Sequence, residues 1–355
     1  MNLKTIRVGI VGLGNNTRLR HVPGLRACEG VEIVAVCNRR PESTVAVARE
    51  FGIPQTFGSW QELVAAPDID AVMIGTAPYL HCPITVAALE AGKHVLTEAR
   101  MAMSADEASR MCEASRRYPN LVTQIVPSPF GLRANRVVKE LLASGYIGEL
   151  REVVVIGTSD SLANPDAPLQ WRQMAELSGV NMLSLGILHE TLMRWVPAPI
   201  RVFAKSHAFT RERLEPATGI VRSVGTPDSV HVLTDLPGGA QGLYHFSGVT
   251  RFGPGSHIHL YGSEGTLKYE LLPHDRLIGA RRGEMDLHEI EVPPEKVSCW
   301  RVEAEFIDAI RGRGKIELTD FATGLSYMQF TEAVAQSAKT GNSISLISLR
   351  NTGLN

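Results

Sequence analysis

The stretch Val8-Gly9-Ile10-Val11-Gly12-Leu13-Gly14-Asn15-Asn16-Thr17 decides the expected fold. A β-branched run ends in a glycine turn, and helical sequence follows. Such a turn lets backbone N–H groups approach a dinucleotide pyrophosphate at the helix N-terminus. The predicted cofactor contacts within it are Gly12, Gly14, Asn15, Asn16 and Thr17, the last standing where a third glycine is expected. Because glycine turns also occur for packing alone, the surrounding sequence has to decide the interpretation.

Around this turn, short β-branched runs alternate with amphipathic helical stretches, which is typical of a parallel sheet wrapped by helices. The expected strands are 6–11, 31–37, 71–75, 94–97 and 121–126, and the expected helices are 41–51, 59–65, 83–91 and 104–117. This pattern predicts an α/β Rossmann domain, with a doubly wound parallel sheet, over residues 1–125.

The rhythm changes after residue 125, where Pro127-Ser128-Pro129 interrupts the chain. The expected strands then become numerous, with little helix between them, at 150–158, 201–206, 229–235, 242–246, 257–262 and 265–270. Helices are expected at 132–143, 300–311 and 321–337. We therefore expect residues 126–355 to form an α+β domain with a large, mostly antiparallel open sheet that binds substrate and mediates oligomerisation.

Composition narrows the class of protein. The chain has 355 residues, 44% hydrophobic residues and a formal net charge of −1, which indicates two ordinary globular cores. Without a basic run or a long apolar segment, neither nucleic acid nor a membrane is an expected partner, and a cytoplasmic location is predicted. The five cysteines show no metal-ligand spacing, and His257 and His259 are interpreted as structural, so no metal is expected.

The end of the second strand bears on the choice of cofactor. It reads Cys37-Asn38-Arg39-Arg40, where an NAD site usually places an acidic residue against the ribose hydroxyls. Asn38 removes that charge, and Arg39 and Arg40 are suited to bind a 2′-phosphate. NADP(H) is therefore preferred. NAD(H) stays possible, because two arginines also suit a solvated turn.

Ligands of such folds bind beyond the carboxyl ends of the strands, which here are followed by two polar loops. The loops run from Thr76 to His81 and from Glu98 to Arg100. Predicted cofactor contacts in them are Thr76, Pro78, His81 and Glu98. For His81 a structural role is expected before a catalytic one.

Across nearly its full length the sequence resembles the glucose-fructose oxidoreductase, inositol dehydrogenase and rhizopine-catabolism (Gfo/Idh/MocA) family. The matching stretches are 9–14, 21–23, 76–81, 87–96, 171–172, 194–195 and 261–266. The resemblance implies a dinucleotide-binding domain followed by an α+β domain, and commonly a homo-oligomer, here a dimer or tetramer. It does not imply a single substrate, because fold does not fix function.

The sequence departs from the family pattern at the catalytic positions. The family's Glu-Lys-Pro loop is here Glu98-Ala99-Arg100, so the lysine is replaced by Ala99. The family's Asp, His and Asp on one helix correspond to Ser184, Leu188 and Thr191. His189 lies one residue past the expected histidine, a rotation of roughly 100° on a regular helix.

Hydride transfer from an alcohol needs a group that removes the hydroxyl proton, and Ala99 cannot do this. The candidates for proton transfer are His189, then Tyr79 and Glu190. Arg100 is expected to bind an anionic or carbonyl oxygen of the substrate. Trp171 and Arg172 match a family pair beside the cofactor and are candidate substrate contacts, with a surface ion pair of Arg172 as the alternative.

These observations predict an NAD(P)-dependent oxidoreductase that transfers a hydride to or from a carbohydrate, cyclitol or related small polar substrate. One alternative is a redox-neutral lyase or glycosidase-type enzyme with tightly bound NAD. Another is a noncatalytic nucleotide-binding sensor, which the substituted catalytic positions favour.

Overall fold

The computed structural model describes residues 4–347, which divide into two compact units. The first unit comprises the chain up to Pro127 together with Arg301–Leu325, and the second comprises Ser128–Trp300 and the chain from Ser326 onward. The first break lies two residues beyond the expected boundary at residue 125. The expected organisation, however, gave Arg301–Leu325 to the second domain. This segment returns to the first unit, where Thr319 accepts a hydrogen bond from the backbone N–H of Ile125.

The described part of the first unit contains a six-stranded parallel sheet. Its strands are β1 (Ile6–Val11), β2 (Val31–Cys37), β3 (Gln55–Thr56), β4 (Ala71–Ile74), β5 (His94–Thr97) and β6 (Thr123–Ile125). Their order is β3-β2-β1-β4-β5-β6, and every neighbouring pair is parallel. The predicted Rossmann sheet is confirmed. The order reverses between β1 and β4, and the carboxyl ends of these strands are where such sheets bind ligands.

Helices accompany this sheet, and two of them begin at a serine N-cap. They are Val22–Arg26, Pro41–Phe51, Trp60–Ala65, His81–Glu90, Ala105–Arg117 and Val302–Ile310. The Ser59 and Ser104 hydroxyls accept hydrogen bonds from the N–H groups three residues later, which fixes two of the helix starts. A π-helical turn, Thr17–His21, directly precedes the first helix.

Lys93 belongs to the matching stretch 87–96, and its side chain stabilises the fold. Its ammonium group is buried and donates hydrogen bonds to the carbonyl oxygens of Ala66 and Ile69, at 2.9 Å and 2.7 Å. Burial lowers the pKa of this lysine. Lys93 therefore fastens the loop before β4 to the start of β5 and has no part in the candidate site.

The described part of the second unit contains a nine-stranded sheet and a separate hairpin. The strands are β7 (Leu150–Thr158), β8 (Arg201–His207), β9 (Glu212–Glu215), β10 (Ile220–Ser223), β11 (Ser229–Asp235), β12 (Gln241–Ser247), β13 (Ser256–Gly262), β14 (Gly265–Leu272), β15 (Arg276–Arg281), β16 (His288–Glu289) and β17 (Ile344–Ser345). The sheet order is β16-β15-β14-β13-β7-β12-β11-β8-β17, and β9 pairs with β10. Among these pairs only β7 with β12 is parallel, so the predicted mostly antiparallel sheet is confirmed.

One face of this sheet carries the core of the second unit. Alternate residues such as Val155, Tyr244 and Phe246 are fully buried there. They pack with residues of three helices, Asn135–Ala143, Leu185–Met193 and the part of Phe321–Thr340 that follows Leu325. A short helix, Ala175–Ser178, also belongs to this unit. The opposite face exposes Phe203, Leu233 and Leu243, which are in register on β8, β11 and β12.

In the described residues, no helix has both the length and the apolar character needed to span a membrane.

Candidate dinucleotide and substrate site

The glycine turn after β1 has one closed and one open position. Gly12 has a φ of +86°, and a Cβ there would lie 2.8 Å from backbone atoms of Gly75 and Thr76. At Gly14 the nearest neighbour of a Cβ would be 4.0 Å away. Gly12 is therefore required by the turn itself, whereas Gly14 leaves open space over the backbone at the helix start. That opening and the N–H groups of the first helical turn fit a phosphate.

Thr17 occupies the position of the third glycine without disturbing the packing. Its side chain is buried, and its hydroxyl donates to the carbonyl oxygen of Gly12 at 3.2 Å. A Cβ on Gly75 would overlap both Thr17 Oγ1 and the Gly12 carbonyl oxygen. The close approach of helix and strand that the third glycine normally permits is therefore provided here by Gly75.

Asn38, at the end of β2, is tied to the glycine turn. Its Oδ1 atom accepts a hydrogen bond from the Leu13 N–H at 2.7 Å, and its Nδ2 atom donates to Ser43 Oγ at 2.9 Å. Both polar atoms of this side chain thus hold protein groups in place. Asn38 positions the turn beside the expected ribose site.

Arg39 and Arg40 follow Asn38, and both side chains are exposed. Within residues 4–347 neither guanidinium forms an ion pair with a carboxylate. Arg40 is also the N-cap residue of the helix Pro41–Phe51. Two cations thus flank the start of this helix, near the glycine turn. This arrangement suits the 2′-phosphate of NADP(H).

His81 connects the two polar loops after β4 and β5. Its Nδ1 and Nε2 atoms lie 2.9 Å from the carbonyl oxygens of Arg100 and Thr76, respectively. The imidazole is buried, and burial lowers its pKa. The expected structural role of His81 agrees with these contacts. The Ala99–Arg100 peptide in the second loop is cis.

Tyr79 lies in the short helical turn Pro78–Leu80, directly after β4, and is half-buried. The described residues supply no hydrogen-bond partner for its hydroxyl. Pro78 is buried at the start of this turn, and the Thr76 hydroxyl donates to the Ala77 carbonyl at 3.1 Å. The first loop therefore places Tyr79 in a short helical turn that begins at a buried proline.

Glu98, directly after β5, belongs to a chain of three ionisable side chains. Its Oε1 atom lies 3.0 Å from Nε2 of His21, and Nδ1 of His21 lies 2.5 Å from Oε1 of Glu303. Asn16 also donates to Glu98 Oε1, and the Ala99 N–H donates to Oε2 at 3.1 Å. The side chains of His21 and Glu303 are buried, and that of Glu98 is 14% exposed.

The pKa values of His21 and Glu98 are shifted from their ordinary values. Burial alone lowers the pKa of His21, but its hydrogen bonds to Glu303 and Glu98 and their charges raise it overall, to about 9. Burial alone raises the pKa of Glu98, but His21 and Asn16 hold it below its ordinary value. We had not predicted His21 and Glu303 as site residues. The only signal was the match at residues 21–23, which assigned no role.

In the second unit, His189 lies in the hydrophobic core. It is fully buried, its ring stacks on Phe330 with the centroids 3.6 Å apart, and its Nδ1 atom lies 3.1 Å from the hydroxyl of Tyr244. Leu188, at the family's histidine position, is buried too. The surroundings of His189 are those of a packed core residue.

Glu190 forms a buried ion pair with Arg194, one helical turn later. Its Oε2 atom accepts from Arg194 Nη2 at 2.7 Å and from the Ser128 N–H at 3.0 Å, and its Oε1 atom accepts from Arg194 Nε at 3.2 Å. Arg194 donates further to the carbonyl oxygens of Ser128 and Phe130. This network fixes the loop at 128–130, and the carboxylate of Glu190 is fully engaged in it.

Trp171 and Arg172 form a cation–π pair, with the guanidinium carbon 4.3 Å from the ring centroid. Arg172 is exposed and Trp171 is half-buried. Stacking on Trp171 is thus one contact that orients Arg172. Among the described residues no group of His, Cys, Asp and Glu has the arrangement of a metal site.

Comparison with known proteins agrees with this arrangement. Residues 6–125 match the model of an oxidoreductase family with an NAD-binding Rossmann fold, and residues 135–268 match the model of the GFO/IDH/MocA C-terminal domain. The chain belongs to the Gfo/Idh/MocA oxidoreductase family. The resemblance stated from the sequence is thereby confirmed for both parts of the chain.

Individual relatives extend over almost the whole chain. An uncharacterized oxidoreductase of Rhizobium meliloti is 29% identical over 95% of this chain and 98% of its own length. The 1,5-anhydro-D-fructose reductase of Ensifer adhaerens is 27% identical over 94% of this chain and 97% of its own length. The structure of a levoglucosan dehydrogenase in complex with NADH and L-sorbose has a TM-score of 0.86 at 22% identity, covering 96% of this chain and 99% of that one.

Proposed function

We propose that this family member is an NADP(H)-dependent oxidoreductase that transfers a hydride to or from a carbohydrate, cyclitol or related small polar substrate. The observation that carries the proposal is the glycine turn, in which Gly12 is closed by the fold while Gly14 remains open. The open position adjoins Arg39 and Arg40, which are exposed and without ion pairs in the described chain. A dinucleotide with a 2′-phosphate uses both features.

In this proposal the cofactor is held by groups at the carboxyl ends of the parallel strands. The first-turn N–H groups from Asn15 to Thr17 bind the pyrophosphate, and Arg39 and Arg40 bind the 2′-phosphate. When bound, the nicotinamide supplies the hydride acceptor or donor. The loops at Thr76–His81 and Glu98–Arg100 border the nicotinamide.

Proton transfer is the step that Ala99 cannot perform. Of the three candidates, we retain Tyr79, because His189 is packed in a core and Glu190 is engaged in a buried ion pair. The Tyr79 phenol lies after β4, on the edge of the sheet where the nicotinamide is expected. Its hydroxyl exchanges the proton with the substrate oxygen, while the hydride leaves or joins the attached carbon.

The substrate class is inferred from relatives and from the polar groups available. The relatives' names refer to an anhydro-fructose and to levoglucosan, which are sugar derivatives. Within the second unit, the stacked pair of Trp171 and Arg172 offers a donor and a flat apolar surface of the kind that sugars bind.

Ala99 also favours a second candidate, a nucleotide-binding sensor without hydride chemistry. The two proposals differ in turnover and agree on binding. Purified protein is titrated with NADPH and NADH by fluorescence. It is then incubated with NADPH and a panel of keto-sugars, and with NADP⁺ and a panel of sugars and cyclitols. Oxidation of NADPH with one of these substrates supports the oxidoreductase, and its loss in Tyr79→Phe supports the proton-transfer role. NADPH binding without turnover by any substrate, in either direction, supports the sensor.

A further inference from the structure

Within the first unit, the side chains of Glu303, His21 and Glu98 form a hydrogen-bonded series. It joins the buried carboxylate of Glu303 to the carboxyl ends of the parallel strands, where the cofactor is expected. Glu98 alone of the three is partly exposed, at 14%. The helix after the glycine turn contributes His21, the loop after β5 contributes Glu98, and the helix Val302–Ile310 contributes Glu303. Three segments that are distant in sequence thus converge on one imidazole.

The geometry favours the protonated form of His21. Each ring nitrogen lies within hydrogen-bond distance of a carboxylate oxygen, at 2.5 Å and 3.0 Å. When both carboxylates are ionised they only accept hydrogen bonds, so both nitrogens donate, which only the imidazolium does. A neutral ring would direct a lone pair at one of the carboxylates.

The backbone is shaped to allow this contact. A Cβ on Gly24 would lie 2.5 Å from Oε2 of Glu303, so glycine is required for Glu303 to approach the helix. His21 is the last residue of a π-helical turn, a local irregularity that occurs frequently at functional sites. The packing is therefore adapted to the pairing of His21 with Glu303. A pair of side chains on the surface would not require a glycine at position 24.

We propose that His21, clamped by Glu303, is a positioning residue that holds Glu98 as an anion and as a fixed acceptor for an N–H or O–H group of the bound dinucleotide. The inference rests on the proposed function, because it needs a dinucleotide at this edge. His21 itself does not touch the cofactor. It acts through Glu98, whose Oε2 atom accepts only the N–H of the following residue among the hydrogen bonds of the described chain.

The proposal predicts a pH dependence of binding. The His21 charge is lost as pH rises through its pKa of about 9, and Glu98 then loses the donor that orients it. The carboxylates that raise the pKa of His21 are those of Glu303 and Glu98. His81 acts on Glu98 but is buried, with a lowered pKa, and Cys28, on the same segment as His21, has a pKa raised by burial and by Glu303.

The test measures the NADPH dissociation constant of the full-length protein from about pH 6 to about pH 10, by fluorescence. Wild type is expected to bind uniformly near neutrality and to weaken through pH 9. Glu303→Gln removes one of the two charges that stabilise the imidazolium, so the weakening moves to lower pH. Glu305→Gln, two residues along the same helix, and Cys28→Ser should keep the wild-type profile. His21→Gln should remove the pH dependence and weaken binding at neutral pH by about tenfold.

A second readout separates this inference from the proposed function. Nitrogen NMR of histidine-labelled wild type reports whether His21 is an imidazolium at neutral pH, with or without nucleotide. A persistent imidazolium that Glu303→Gln shifts to lower pH supports the clamp, even if neither NADPH nor NADH binds and the proposed function fails. A neutral His21 at pH 7, or identical binding profiles for wild type and Glu303→Gln, overturns it.

Discussion

Asn38 Oδ1 accepts a hydrogen bond from the backbone N–H of Leu13 at 2.7 Å, so the end of β2 is fastened to the glycine turn. In NAD sites an acidic residue usually stands at the position of Asn38. The neutral amide keeps this bond without adding a negative charge beside Arg39 and Arg40. One short segment thus holds the turn and also contains the residues on which the proposed preference for NADP(H) rests.

From this relationship we expect Arg39→Ala with Arg40→Ala to weaken NADPH binding by about 10- to 100-fold, because two charge-assisted contacts to a phosphate are lost. NADH binding should stay within about twofold of wild type, since NADH has no 2′-phosphate. Fluorescence titration measures both constants. Arg49→Ala, an exposed arginine on the following helix, is the matched control. Equal losses for NADPH and NADH would contradict the assignment.

Substitutions of the two glycines of the turn should have different effects, one on folding and the other on nucleotide binding. Gly12→Ala introduces a side chain at a φ of +86° and against Gly75, so we expect a loss of about 1–3 kcal/mol in the free energy of unfolding. Gly14→Ala has no neighbour nearer than 4.0 Å and should fold as wild type, yet its methyl group occupies the phosphate opening and should abolish binding. Urea unfolding and NADPH titration test the pair. A Gly14→Ala protein that binds NADPH normally would refute the phosphate opening.

Glu190 should matter for stability and not for chemistry. Glu190→Gln leaves the buried Arg194 without its counter-charge, and we expect a cost of about 3–5 kcal/mol in unfolding free energy. Replacing both residues, as Glu190→Leu with Arg194→Leu, should cost less than the single change, because no uncompensated charge remains buried. The pH profile of kcat should match that of wild type wherever the single variant folds. A shifted profile would return Glu190 to the list of proton-transfer candidates.

His21 should also make stability depend on pH. Its pKa is raised from 6.5 to about 9 in the folded protein, so its contribution is complete below pH 6.5 and is lost as pH rises through 9. Wild type and His21→Gln should therefore differ most in unfolding free energy near pH 6 and least near pH 10. Urea unfolding at both pH values checks this. A difference that grows with pH would contradict the raised pKa.

The exposed apolar row on the sheet of the second unit gives a further expectation, that the protein forms a homo-oligomer through this face. Phe203, Leu233 and Leu243 lie side by side on neighbouring strands and are each about half exposed. Leu233→Asp should shift the protein to a smaller species in sedimentation velocity. The melting temperature of the monomer should not change. Leu214→Asp, at an equally exposed leucine of the β9–β10 hairpin, is the control. An unchanged size distribution for Leu233→Asp would exclude this face.

Much of the fold was predictable because local patterns dictate it. Strands such as Ile6–Val11 and Val31–Cys37 and caps such as Ser104 were placed correctly, since β-branched runs and capping residues act over a few positions. The strand β15, the hairpin of β9 and β10 and the two-residue strands β3, β16 and β17 are not predicted. The two-residue strands carry too few residues to show alternation.

The candidate site was predictable only where it depends on a contiguous motif. The glycine turn and Arg39 with Arg40 are of this kind. Glu303 lies 282 positions from His21, and no local pattern pairs them. For His189 and Glu190 the sequence showed polar residues on an apolar helix but not their partners Phe330, Tyr244 and Arg194, which only tertiary packing reveals.

The most direct test of the central claim is the titration of nucleotide-free, folded wild type with NADPH and NADH, followed by fluorescence. We predict saturable binding of both nucleotides with the tighter constant for NADPH, as the open turn at Gly14 and the arginines at 39 and 40 require. Absence of binding by either nucleotide to folded protein would contradict the dinucleotide site, and tighter binding of NADH would contradict the proposed preference.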